Sequence, residues 1–229
     1  MLLGIAGFIL LLVLVLGPQL WTKHVFKRYD TLLDELPGTG GELARHLITR
    51  LELTGYNVEA LESGGDHYNP ENKTVCLSQG VYERKSLTSA AIAAHEIGHA
   101  LQHNTGFRPL YLRWKLARYI ALTEKTASFI LVSFPFVMLL VKSPLVGILM
   151  FASGILILFL PVIFHLVTLP VEWDASFNRA LPLLIEGRYL PQSAEPVVRR
   201  ILTAAALTYV SASLSSLLNF YRWIAFLRR

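Results

Sequence analysis

The chain has few charged residues and a single cysteine, and both shortages limit what it can be. Only 16% of its 229 residues are charged and 53% are hydrophobic, whereas about a quarter of the residues in a typical soluble domain are charged. This composition is typical of a membrane protein with a soluble portion. Basic residues flanking membrane segments then explain the net charge of +5, and we expect no nucleic-acid partner. Because Cys76 has no second cysteine to pair with, an intramolecular disulfide framework is excluded.

Long uncharged runs predict the architecture. Residues 1–22 lack charge and precede a basic cluster, which predicts a transmembrane anchor with residue 23 on the cytoplasmic side. Residues 126–171, interrupted by Lys142, predict a transmembrane hairpin, and residues 201–229 predict an apolar helix that is a possible fourth span. The predicted fold class is therefore a mainly α integral membrane protein with three or four transmembrane helices and a soluble part.

The soluble part is predicted to comprise residues 23–125 and a helical segment at 172–200. Tyr56–Leu61 and Thr74–Leu77 read as strands, with a loop at Ser63–Asn72 between them. Thr74–Ser78 is predicted to be an edge strand able to pair with an extended peptide. The basic, aromatic-rich stretch at residues 108–119, which includes Arg113, is typical of a segment lying on an anionic membrane surface.

Helix start signals stand out at two places in this part. Thr39 and Glu42 have the spacing of a capping box, which predicts a helix from about residue 40. Ser86 is a favourable N-cap for a second helix, whose apolar spacing continues to about residue 104. The second helix contains the most informative motif of the chain.

That motif is His-Glu-x-x-His, formed by His95, Glu96 and His99. Residues four apart on a helix lie on one face, about 6 Å apart along the axis, so both imidazoles can reach one zinc ion. The glutamate between them is placed to take a proton from a zinc-bound water. The motif therefore predicts His95 and His99 as zinc ligands and Glu96 as the catalytic residue, with a chance occurrence on a surface helix as the alternative.

A catalytic zinc needs a third protein ligand. Glu172 is the strongest candidate, because the predicted hairpin returns the chain to the side of the motif; the alternative is a first-turn glutamate stabilised by the helix dipole. His103 lies about 12 Å from the first motif histidine along the axis, too far for the same ion. Cys76 is better explained as a buried strand residue. Asp174 is a candidate to orient a ligand histidine.

Four stretches carry a resemblance to a known family: Asp66–Pro70, Ala93–Ala100 followed by Gln102 and His103, Pro170–Ser176, and Ala204–Val210. On these the sequence resembles the YugP-type family of membrane zinc metallopeptidases, and more distantly the HtpX-type membrane proteases of the gluzincin class.

The resemblance implies a zincin-like α+β soluble part with an active-site helix and a bound Zn²⁺. It also implies His95, His99 and Glu172 as ligands and Glu96 as the catalytic residue. In the distant relatives an aspartate follows the third ligand by four residues, and Ser176 stands there in this chain. The sequence therefore departs from the pattern of the distant relatives at this position.

The leading hypothesis is a membrane-integral zinc metalloendopeptidase that cleaves a peptide or a membrane protein. We expect it in the lipid bilayer of a bacterial cell membrane, with the active site on the cytoplasmic face. Tyr209, Asn178 and Arg179 are candidates to stabilise the oxyanion, and the sequence does not choose among them. The alternative is a non-catalytic membrane scaffold with a structural zinc site. A third possibility is a transporter. His165 is the ionisable residue in the apolar run, and it supports a proton or ion path only weakly.

Overall fold

The computed structural model describes residues 2–141 and 143–207 of the chain. Its elements in chain order are α1 (Leu2–Arg28), α2 (Gly40–Arg50), β1 (Asn57–Leu61), β2 (His67–Asn69), β3 (Thr74–Ser78), α3 (Gln79–Glu83), α4 (Leu87–Asn104), α5 (Arg108–Val141), α6 (Pro144–Trp173), a π-helical segment (Asp174–Ala180) and α7 (Leu181–Glu186). A 3₁₀ turn (Gln192–Ala194) follows, and residues 195–207 are again helical. The described fold is thus mainly helical with one small sheet.

The sheet has the order β1-β3-β2, with β3 in the centre. β1 runs parallel to β3, and β2 runs antiparallel to it. The prediction that Thr74–Ser78 is an edge strand is therefore wrong, because both of its edges are occupied. The predicted loop at Ser63–Asn72 is also corrected, since it contains β2; this strand is too short to show a hydrophobic period.

Two helix starts are confirmed. The hydroxyl of Thr39 accepts the amide of Glu42, and the Glu42 carboxylate accepts the amide of Thr39, which completes the capping box of α2. The hydroxyl of Ser86 accepts the Ser89 amide at 3.0 Å at the start of α4. α2 packs on α4, and α4 also contacts β2, β3, the π-helical segment and α7.

The predicted membrane architecture is wrong. A spanning helix needs about 20 predominantly apolar residues in succession, and over the described residues the structure contains no helix that is both long and apolar enough to cross a bilayer. The uncharged runs at the predicted anchor and hairpin belong instead to α1, α5 and α6, and α5 and α6 pack along each other. Of the predicted C-terminal helix, residues 208–229 lie outside the described residues.

Candidate metal centre

One face of α4 presents the motif to the protein interior. His95, Glu96 and His99 are 5%, 6% and 6% exposed, so the two imidazoles and the carboxylate are all largely removed from solvent. Small side chains, alanine above all, cover most of the rest of the helix and let its neighbours approach closely. Beyond Asn104 the chain turns away at Gly106, whose φ of +67° is one that glycine adopts without steric cost.

Glu172 reaches this face from the end of α6. Its carboxylate is fully buried, and its Oε2 lies 3.1 Å from Nε2 of His95 and 3.3 Å from Nε2 of His99. Ligand atoms held about 2.0–2.1 Å from a tetrahedral zinc ion are about 3.3 Å apart. The carboxylate oxygen therefore lies at the separation from each imidazole nitrogen that one zinc ion requires, and all three atoms lie within 4.8 Å of one another. The two-nitrogen, one-oxygen set is a usual one for a catalytic site.

A hydrogen-bond network sets the tautomer of His99. The amide nitrogen of Gln102 donates to the carbonyl oxygen of Val171 at 2.8 Å and to Oδ2 of Asp174 at 2.9 Å. The Gln102 Oε1 must then accept a hydrogen bond from Nδ1 of His99, 2.9 Å away. The acceptor at Nδ1 keeps a proton on that atom of His99, so Nε2, which faces Glu172, is the nitrogen left to bind a metal.

His95 is held in the same way. The hydroxyl of Ser176 lies 3.0 Å from Nδ1 of His95 and donates to the carbonyl oxygen of Leu202 at 3.5 Å. A hydroxyl oxygen can accept a hydrogen bond from Nδ1, so Ser176 is placed to hold a proton on that atom and leave Nε2 of His95 for the cluster. Ser176 thus contacts a histidine of the cluster although a serine is shorter than the aspartate of the distant relatives.

Arg113 occupies the other oxygen of Glu172. Its Nη1 lies 2.6 Å from Oε1, and the two side chains are 15% and 0% exposed. Burial by itself would raise the pKa of Glu172, but the charges and hydrogen bonds of His99 and His95, together with the Arg113 guanidinium, outweigh burial and hold this pKa below its usual range. The guanidinium therefore keeps Glu172 ionised and directs Oε2 alone toward the two imidazoles.

Glu96 faces the same space in a different environment. Burial raises the pKa of its carboxyl to about 7, an effect that His95 partly opposes. A carboxylate with a pKa close to neutral can both take and return a proton at physiological pH. Two glutamates in one site thus have pKa values moved in opposite directions, which is typical of a site with one ligand or charge stabiliser and one acid–base group.

Comparison with known proteins agrees with this donor set. The chain matches, over residues 5–228, the model of the family described as "Putative neutral zinc metallopeptidase". The chain belongs to this zinc metallopeptidase family. It is also 34% identical over 222 residues, 95% of each chain, to the Bacillus subtilis (strain 168) protein named "Putative membrane protease YugP". No solved structure matches the chain. The resemblance drawn from the sequence is confirmed, and zinc is the metal of the family, for which the cluster offers fitting ligands.

A glycine in the motif of this family member sets the distance between α4 and the π-helical segment. A Cβ at Gly98 would lie 2.5 Å from the carbonyl oxygen of Ala175, so only glycine permits this close crossing. The π-helical segment begins two residues after Glu172, and such single-turn distortions occur frequently at functional sites. The contact brings Ser176 and Asp174 against α4, where they support His95 and Gln102.

Beside the cluster lies a cleft of about 280 Å³ that Glu96 faces. Its lining comes from α1, β2, α4, α5 and the last described helical residues: Phe26, Asp66, His67, Tyr68, Ile92, His95, Glu96, His99, Leu110, Arg113, Trp114 and Ala205. The cleft therefore reaches Glu96 and both histidines of the cluster. In a zinc metallopeptidase this is where a substrate carbonyl must lie.

The other candidates from the sequence lie elsewhere. Cys76 is buried in β3, as predicted. Nδ1 of His103 lies 2.6 Å from the Tyr68 hydroxyl, and the ring packs among the rings of Tyr56, Tyr111 and Trp114, outside the cluster. Tyr209 lies outside the described residues.

The two remaining oxyanion candidates are engaged by Asp174. Asn178 donates to its Oδ1 at 3.0 Å and Arg179 to its Oδ2 at 2.7 Å, and neither side chain is among the described residues that line the cleft. These bonds and that from Gln102 outweigh burial and lower the pKa of Asp174. Asp174 therefore acts on the site indirectly: it holds Gln102, which in turn holds His99.

Sequence reasoning missed Arg113 and the role of Gln102. Arg113 is one of several basic residues at the start of α5, and nothing in its sequence context separates it from Arg108 or Arg118. Gln102 did have a signal, since it follows the second motif histidine by three residues and side chains at that spacing share a helix face.

Proposed function

We propose that the protein is a zinc-dependent endopeptidase with His95, His99 and Glu172 as the metal ligands. The observation that carries the proposal is the convergence of two imidazole Nε2 atoms and one carboxylate oxygen beside a buried glutamate at the mouth of a cleft. In the described part of the chain the cluster has three ligands. A catalytic site keeps one position open, whereas a structural site is normally closed by four protein ligands, so the cluster favours an enzyme over a scaffold.

The protein groups divide the chemistry between them. A bound zinc ion supplies a lowered pKa for water and polarisation of the scissile carbonyl. Glu96 accepts the proton of the attacking water and returns it to the leaving amine, for which its pKa of about 7 is suited. Gln102 and Ser176 hold the imidazoles in the ligating tautomer, and Arg113 holds the carboxylate of Glu172.

Features of the cleft favour internal peptide segments over chain ends. Arg113 is bonded to Glu172, and the carboxylate of Asp66 accepts the amide and the hydroxyl of Ser78 at 2.7 Å and 2.9 Å. The guanidinium that could bind a peptide C-terminus thus already has a carboxylate partner, and Oδ1 of Asp66 already accepts two hydrogen bonds. β2 lines the cleft with His67 and Tyr68 and is an edge strand, so an extended peptide can add to it by backbone hydrogen bonds.

The decisive experiment separates metal binding from proteolysis. We expect Glu96→Gln to retain stoichiometric zinc and to lose at least 100-fold in cleavage of an unstructured protein substrate, because the proton acceptor is gone. The exposed Glu83→Gln is the matched control and should keep both properties. A Glu96→Gln protein that cleaves at the native rate would contradict the assignment.

Metal content tests the third ligand. We expect Glu172→Ala to lose most of its zinc after dialysis, whereas Glu186→Ala, an exposed glutamate at the end of α7, should keep it. Full zinc content in the Glu172→Ala protein would overturn the ligand set and leave the peptidase without its proposed centre.

The protein is also proposed to work in association with a membrane. The support is the name of the Bacillus relative and the large apolar side chains that α5 and α6 expose, such as Phe136, Leu140 and Leu149. The basic C-terminal end of α1 would favour the anionic cytoplasmic leaflet. Cell fractionation tests the association. Labelling of Glu71→Cys by an impermeant maleimide, compared between intact and broken cells, tests on which side of the membrane the site lies. The labelling background is low because Cys76 is buried.

A further inference from the structure

One wall of the cleft beside the cluster is apolar. Five side chains from separate parts of the chain form it: Phe26, Ile92, Leu110, Trp114 and Ala205. Three of them are close to fully buried, with exposures of 8% for Ile92, 1% for Leu110 and 9% for Ala205. Phe26 and Trp114 are half-buried, so an apolar ligand group placed against them would remove both surfaces from water, which stabilises the complex.

The wall borders the reacting centre directly. Ile92 precedes His95 by three residues on α4, which is about 4.5 Å along the helix axis, on the same face. On α5, Leu110 precedes Arg113 by three residues, and the Arg113 guanidinium is 2.6 Å from Glu172. A substrate group in contact with this wall therefore belongs to a residue that flanks the scissile bond.

The cationic side chain of Arg113 does not favour an anionic substrate side chain. Its Nη1 is bonded to Oε1 of Glu172, so an anionic side chain would have to compete with Glu172 for the guanidinium or remain buried without a partner. Burying an unpaired charge is costly. The volume agrees with an apolar occupant: a cavity of about 150 Å³ lined by aliphatic and aromatic side chains binds benzene, and this cleft measures about 280 Å³.

We propose that the cleft selects peptides with a bulky apolar side chain, such as leucine or phenylalanine, next to the scissile bond. The proposal rests on the proposed peptidase function and specifies its substrate class. Residues farther along the peptide contribute through backbone pairing with β2, which does not read their side chains.

The test uses a set of quenched fluorescent peptides that differ only at the residues on either side of one bond. We expect kcat/KM for leucine or phenylalanine to exceed that for serine or aspartate by about 10-fold to 100-fold. Ile92→Ala should reduce the leucine-to-serine ratio about threefold or more, whereas Ile48→Ala, the same change on α2 outside the cleft, should leave the ratio unchanged. Equal kcat/KM values across the set would overturn the proposal, as would an unchanged ratio in Ile92→Ala.

A binding measurement covers the case in which none of these peptides is cleaved. The zinc-loaded Glu96→Gln protein should bind the leucine peptide at least about 10-fold more tightly than the serine peptide, and equal affinities would overturn the proposal. The two hypotheses fail separately. Equal kcat/KM values across the set, with cleavage that depends on Glu96, would refute the substrate class alone. A purified protein without zinc, or cleavage that does not depend on Glu96, would refute the peptidase function.

Discussion

Replacement of Gln102 by leucine tests whether the hydrogen bond that Gln102 makes to His99 contributes to zinc affinity. The Gln102 side chain is fully buried, and leucine nearly preserves its volume. Of its three partners, Asp174 keeps its bonds from Arg179 and Asn178, and the carbonyl oxygen of Val171 keeps the backbone amide of Asp174. Only His99 loses the hydrogen-bond partner of its Nδ1, so the stability loss of the metal-free protein should be that of one unsatisfied buried group, about 1–3 kcal/mol.

The zinc affinity should fall by a free energy of similar size. Without the acceptor at Nδ1, His99 is free to carry its proton on Nε2, the atom that faces Glu172. Loss of such a supporting hydrogen bond weakens metal binding about 10-fold to 100-fold, which corresponds to roughly 1.4–2.7 kcal/mol. Competition with a chromophoric zinc chelator measures the affinity, and urea unfolding of the metal-free protein measures the stability.

The matched control is Gln79→Leu on α3. The Gln79 amide is exposed and donates to Glu83 at 3.2 Å, far from the cluster, so both measurements should stay within error of wild type. A folded Gln102→Leu protein whose zinc affinity is within twofold of wild type would refute the argument that this amide sets the tautomer of His99.

Three further changes probe the same centre. Gly98→Ala forces α4 and the π-helical segment apart, and overpacking of this kind costs about 1–3 kcal/mol; a thermal unfolding midpoint at or above wild type would contradict the close crossing. Arg113→Met leaves Glu172 buried without its cation and should cost the metal-free protein about 3–5 kcal/mol in urea unfolding, unlike the exposed Arg118→Met. The raised pKa of Glu96, about 7 against 4.5, means that the folded chain retains a proton that the unfolded chain releases between these pH values. The stability of the metal-free protein should therefore fall as pH rises from 4.5 to 7, by about 3 kcal/mol. In urea unfolding Glu96→Gln should abolish this fall in stability, and an unchanged pH dependence in the variant would contradict the raised pKa of Glu96 as its cause.

Local signals in the sequence predicted the parts of the fold that local interactions determine. The capping box at Thr39 and the N-cap at Ser86 act within three residues, and the period of α4 places His95 and His99 on one face. The donor types and spacing of the motif were enough to indicate zinc, because imidazoles one helical turn apart can share an ion.

The membrane spans that were predicted from composition and uncharged runs are wrong. An uncharged run is equally compatible with a helix packed against other protein, and the described helices do not meet the length and apolarity that a bilayer crossing requires. In the sheet, the sequence marked β3 as apolar, but its central position follows from the pairing of β1 and β2 on either side, which no local pattern encodes.

By itself the sequence predicted the helix that carries the motif, a zinc-binding chemistry and Glu172 as a candidate third ligand. The tertiary structure alone decided which groups surround that candidate. Glu172 is 77 residues from His95, and its second oxygen is bonded to Arg113 from α5. Nδ1 of His99 is hydrogen-bonded to Gln102, and Nδ1 of His95 to a serine on the π-helical segment. These contacts join elements distant in the chain, so they arise from how the helices pack and not from the preferences of any one segment.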